Sequence, residues 1–147
     1  MHQRRAFTLI EIIIVVAIIG ILMVTGFTAF ISAQKNQELS AVAQKFATVV
    51  TTAHIYAREN KDIKIWGVRG TLDRYALISA TTDPLVFDIE KETALPAGMT
   101  FTAPFTIYFD KGTGTMPTTQ SLILKDSRDR QMRIDISPSA AVDIVAL

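Results

Sequence analysis

The chain has no cysteine, which excludes a disulfide framework and a thiolate metal site. An exported domain with an adequate core needs neither, so this absence leaves the compartment open. Histidine is nearly absent too, with two in 147 residues. His2 stands in the first six residues and His54 in a helical stretch, and neither has the context of a Ser–His–Asp set. Asp110-Lys111-Gly112-Thr113-Gly114 has turn chemistry. It lacks the Gly-Lys-Ser/Thr ending of a phosphate loop and the acidic ligands of a calcium loop. Asp88, Glu90 and Glu92 read as alternation along an exposed strand or loop. Enzyme activity, a cofactor and a metal are therefore not expected. Excess charge is also missing. The formal net charge is +1, with no electrostatic footprint for nucleic acid.

One local absence says more. Residues 12–31 carry no charge, and twenty helical residues span about 30 Å, the thickness of a bilayer's hydrocarbon core. Arg4 and Arg5 precede this run, and Lys35, Glu38 and Lys45 follow it. Basic residues before the run place the N-terminus in the cytoplasm and the C-terminal bulk outside it. Glu11 stands at the start of the run, where a carboxylate is costly and calls for a partner. A secretory signal cut near Ile31-Ser32-Ala33 is the alternative. It requires a shorter apolar core and leaves Glu11 unexplained.

Proline and glycine are missing from 34 to 60. Leu39, Val42, Ala43, Phe46, Val49, Val50, Ala53, Tyr56 and Ala57 recur there at three- and four-residue spacing, which is one helical face. The spacing predicts a helix from 7 to about 60. After it the period becomes two. A hairpin is expected over 63–79, turning at Arg69-Gly70-Thr71, and a short strand over 84–89. A turn is expected at Leu95-Pro96-Ala97-Gly98, with strands over 99–101 and 105–109. A second hairpin is expected over 120–137 with its tip at 126–130, and a last strand over 141–145. A long helix followed by antiparallel strands is an α+β arrangement with the sheet on the helix's C-terminal half.

Arg4-Arg5-Ala6-Phe7, Glu11 five residues into the sequence after Ala6, and the unbroken apolar run resemble the signal of type IV prepilins and type II secretion pseudopilins. Leu95-Pro96-Ala97-Gly98 and Thr106-Ile107-Tyr108-Phe109-Asp110-Lys111-Gly112, with paired strands near the C-terminus, resemble type II secretion pseudopilin H and its minor-pilin relatives. The resemblance implies a leader (1–6), a transmembrane and assembly helix (7–33) and a pilin-like domain (34–147), made of an amphipathic helix (34–60) and a sheet region (61–147). It implies cleavage between Ala6 and Phe7 by a prepilin peptidase, N-methylation of Phe7, and pairing of Glu11 with the new amine of a neighbouring subunit. The implied partners are other pilin or pseudopilin subunits, the peptidase, an inner-membrane assembly platform, and lipid before assembly. The implied role is a structural subunit, minor rather than major, of a pilus-like filament or secretion pseudopilus. Three positions depart from the family pattern: Ala6 replaces the usual Gly, Thr28 stands where many pilins have Pro, and Ser139-Ala140-Ala141 stands where a Gly often precedes the last strand.

Lys125, Arg128, Arg130 and Arg133 form the one basic group. Some pilus relatives bind DNA through arginines near the C-terminus, and phosphate contacts need only such groups on one surface. Asp126, Asp129 and Asp135 are interleaved, so a solvated hairpin tip is the favoured account. A tip subunit that takes up DNA, and a plain membrane-anchored or secreted β-domain, are the alternative functions.

Overall fold

The computed structural model describes residues 9–147. They fall into two compact units, 9–37 and 38–147. The leader, Ala6 and Phe7 lie outside the described residues. Helix α1 (Leu9–Arg58) contributes to both units. No proline interrupts it, and it stays helical from Gly20 through Thr28.

In the first unit every large apolar side chain from 9 to 23 is exposed, from 44% at Ile19 to 78% at Leu9. A helix that is apolar all round finds its cover in other molecules rather than in its own turns. Among the described residues no helix is long and apolar enough to cross a membrane.

In the second unit the stripe read from the sequence is the buried face of α1. Leu39, Val42, Ala43, Phe46, Val50, Ala53 and Ala57 are buried, and Val49 and Tyr56 pack against them. The opposite face is polar in composition. Thr48, Thr51 and Thr52 each donate a hydroxyl hydrogen bond to the carbonyl four residues back, at 3.0, 3.0 and 2.8 Å, a local alternative to bonding with water.

The strands form two four-stranded antiparallel sheets rather than one. The first has the order β3 (Asp88–Ala94), β2 (Arg74–Ala80), β1 (Ile65–Gly70), β5 (Phe105–Phe109). The second has the order β4 (Thr100–Phe101), β6 (Gln120–Lys125), β7 (Gln131–Ile136), β8 (Val142–Ala146). The first hairpin turns at 71–73 rather than at 69–71, because Arg69 and Gly70 still pair with Ala76 and Tyr75. The expected strand over 84–89 is displaced. Residues 84–87 belong to a turn in which Asp83 Oδ1 accepts from Leu85 N at 2.8 Å and Asp83 O from Val86 N at 3.0 Å. Strand β3 begins only at Asp88 and runs through the acidic alternation.

Both sheets bury one face against α1. Phe46 sits at the centre, edge-on to Tyr75 at 5.3 Å, Phe101 at 5.4 Å and Phe105 at 5.6 Å between ring centres. It thus touches strands of both sheets. Among the described residues no buried side-chain nitrogen or oxygen lacks a hydrogen-bond partner.

Candidate functional site

Glu11 lies in the first turn of α1 and is exposed among Leu9, Ile10, Ile12 and Ile13. The two other residues of the expected processing and assembly site, Ala6 and Phe7, lie outside the described residues.

The four basic residues do not form one free cationic surface. The β6–β7 hairpin pairs Lys125 with Gln131 and Ile123 with Arg133, so Lys125 and Arg133 share a sheet face while Arg128 and Arg130 lie at or near the tip. Asp126 is buried there. Its Oδ1 accepts from Arg128 N at 2.9 Å and Arg130 N at 3.1 Å. Its Oδ2 accepts from Arg130 Nε at 2.9 Å and from the same guanidinium's terminal nitrogen. The Arg130 guanidinium, with those backbone donors, holds the Asp126 carboxyl below the usual carboxylate range. Arg133 Nε donates to Asp135 at 2.9 Å, and Ser121 Oγ donates to the same carboxylate at 2.6 Å. The serine first and the arginine second hold Asp135 low. Two of the four cations thus serve internal carboxylates.

A second polar group sits where β2 meets β3. The β2–β3 register shifts between Leu77 and Ile78, and Glu90 falls in that bulge. Fully buried Ser79 donates to Glu90 Oε1 at 2.6 Å, and Lys64 Nζ lies 3.2 Å from Ser79 Oγ and 3.1 Å from Glu90. A serine beside a lysine is the geometry of an activated nucleophile. The chemistry differs here. The Glu90 contact raises Lys64 above the ordinary lysine range, so the ammonium stays charged and cannot take the serine's proton. Hydrogen bonds from Ser79 and then Lys64 hold Glu90 low. The group ties β2, β3 and the start of β1 together. Among the described residues no cluster of three or more His, Asp or Glu is placed to hold a metal ion.

The sequence did not reveal the role of the 110–114 loop. The loop closes the C-terminal end of α1. Gly112 N donates to Ala57 O at 2.8 Å, and Lys111 Nζ donates to Ile63 O at 2.7 Å. Gly114, at φ 70°, packs so closely that a Cβ there would strike the His54 ring. The glycines signalled a turn, but only the fold shows that the turn satisfies a helix-end carbonyl.

Residues 1–27 match the prokaryotic N-terminal methylation motif. No curated protein matches the sequence. The fold is similar to that of the minor pseudopilin EpsH from the type 2 secretion system of Vibrio cholerae, with a TM-score of 0.58, 18% identity, and coverage of 74% of this chain and 97% of that one. At that identity the likeness is one of fold. Residues 1–27 thus carry an N-terminal methylation motif, and the chain's fold is similar to that of a pseudopilin.

Proposed function

We propose that this protein is a minor subunit of a type IV pilus-like filament or a type II secretion pseudopilus. A prepilin peptidase cuts between Ala6 and Phe7, and the new Phe7 amine is methylated. The apolar helix anchors the subunit in the cytoplasmic membrane, N-terminus inside and β-domain outside, until an inner-membrane assembly platform passes it to the filament and neighbouring subunits. The observation that carries this reading is the methylation motif at 1–27 on the same chain as a pseudopilin-like fold. The exposed apolar surface from 9 to 23 supports an environment of lipid first and packed helices later.

Within that environment Glu11 sets axial register. Cleavage creates a cation at Phe7, and a neighbour's Glu11 is the carboxylate at matching depth. Removing one partner of a desolvated pair costs about 3–5 kcal/mol, and each 1.4 kcal/mol is about a factor of ten in an equilibrium. Glu11→Ala should therefore leave cleavage and insertion intact but strongly reduce the subunit's share in sheared filaments. N-terminal mass analysis reads the first step, with a methylated Phe7 expected. The ratio of filament-bound to membrane-bound mature protein reads the second. A mature terminus near Gln34 would overturn the processing, and equal incorporation of Glu11→Ala would overturn the role of the charge.

A further inference from the structure

The outward face of the first sheet, away from α1, carries a cavity of about 200 Å³ lined by Arg69, Ala76, Ile78, Ile89 and Glu92, with Arg74 at its rim. Its origin is visible in the register. Arg69, Ala76 and Glu92 are direct neighbours across β1, β2 and β3, and Gly67, Ile78 and Ile89 form the next row. Ala76 is the smallest side chain in its row, so a hole opens above it between two long charged neighbours, with fully buried Ile78 at its side. Small-molecule sites typically occupy roughly 300–1,000 Å³, so this cavity suits a single side chain.

The rim charges differ in their commitments. Arg74 is paired with Asp73 at 3.1 Å and Glu92 at 3.5 Å. Arg69 stacks its guanidinium 4.9 Å from the centre of the Phe87 ring, and among the described residues no carboxylate forms an ion pair with it. The lining holds Arg69 and Arg74 against one acid, Glu92, and with Arg74 paired to Glu92 and Asp73 one arginine charge is left over. A single carboxylate can still pair with Arg69. Beside Phe87 the 83–86 turn holds Leu85 and Val86 outward, 86% and 74% exposed, and Ile89 in the cavity wall is 57% exposed. The turn is built rather than loose: Asp83 holds its backbone, and Tyr108 Oη donates to Pro84 O. Exposed aliphatic groups gathered around a cavity mark an interaction surface.

We propose that this face binds an extended segment of a partner protein, one apolar side chain entering the cavity above Ala76 and an adjacent acidic side chain pairing with Arg69. None of the residues lining the cavity belongs to α1.

The test is a methyl-NMR titration of the full chain in neutral detergent with acetyl-Leu-Asp-amide, reading Ile78, Ile89 and Val86. Acetyl-Leu-Asn-amide and acetyl-Gly-Asp-amide are the controls. Ala76→Met fills the cavity, and Arg69→Met removes the charge while keeping the stem. The Leu-Asp probe should shift these methyls saturably, and each control probe and each variant should weaken binding by about tenfold, the factor that 1.4 kcal/mol corresponds to. Undiminished binding to Ala76→Met, equal binding of the Asn probe, or no saturable shift with the Leu-Asp probe would overturn the proposal. So would equal shifts from phosphatidylglycerol vesicles without peptide, which would make the face a lipid contact.

Discussion

At the residue scale the fold's carboxylates are held by specific donors, and this makes stability depend on acid. Asp126, Asp135 and Glu90 all titrate below their ordinary values. A group with a depressed folded value stabilises fully above its unfolded value, about pH 4 for these residues. That stabilisation is lost as pH falls through the folded value. Lys64 runs the other way: its value is raised, so its contribution holds below the ordinary lysine range and is lost only as pH rises through the higher folded value. Asp126→Ala should cost about 1–3 kcal/mol at neutral pH, because the amides of Arg128 and Arg130 lose their acceptor. Urea titrations at neutral pH and at about pH 2, below the unfolded carboxylate value, should show the gap narrowing in acid. A gap of equal size at both would show that the charge contributes nothing. Ala140 is a further residue where chemistry and geometry compete. It stands at φ 59° in the turn before β8, where the left-handed backbone favours glycine. A glycine there would relieve the backbone but give up a methyl buried in the core, worth about 0.8 kcal/mol.

At the element scale the 110–114 loop and the end of α1 are one construction. Gly112 and Gly114 both have positive φ, 84° and 70°, but a Cβ at Gly112 meets nothing within 4 Å, whereas one at Gly114 meets His54. Gly112→Ala should therefore cost only the left-handed backbone penalty, about 1 kcal/mol. Gly114→Ala should add overpacking of about 1–3 kcal/mol. Thermal melts should rank the two in that order, and equal midpoints would show that the contact with His54 yields freely. Element existence was legible in the sequence because periodicity is strong: the α1 stripe, β5, β6 and the 126–130 tip stand where the pattern put them. What periodicity could not give was partnership. Alternation in 120–136 looks the same in one sheet or two, and the charged alternation of 88–94 fits an exposed strand or a loop equally; it is an edge strand, whose exposed faces tolerate the charges. The apolar residues 84–87 mimicked a strand because their turn depends on Asp83, one side chain outside the run. Of the candidate site, the basic group was legible as composition. That Asp126 and Asp135 engage two of its members required the register.

At the scale of the whole molecule the two units need different surroundings. The large apolar side chains from 9 to 23 are exposed, while residues 38–147 hold an internal core. The DNA-capturing alternative depends on the cations of the second hairpin, where Arg130 and Arg133 are engaged. The purified protein should show no salt-sensitive duplex binding. Lys125→Glu with Arg128→Glu is the informative variant, since it leaves the Asp126–Arg130 pair in place. A complex that weakens as salt rises and disappears in this variant would establish the nucleic-acid role.

The threonines of α1 have a consequence for recognition. Because Thr48, Thr51 and Thr52 turn their hydroxyl protons onto the helix's own carbonyls, these residues show their surroundings methyl groups and hydroxyl oxygens rather than O–H donors. No charge interrupts the stretch between Lys45 and Arg58. A neighbouring helix lying along it would feel a nearly smooth track, with almost the same energy at many longitudinal offsets. Such a track resists separation but is indifferent to sliding.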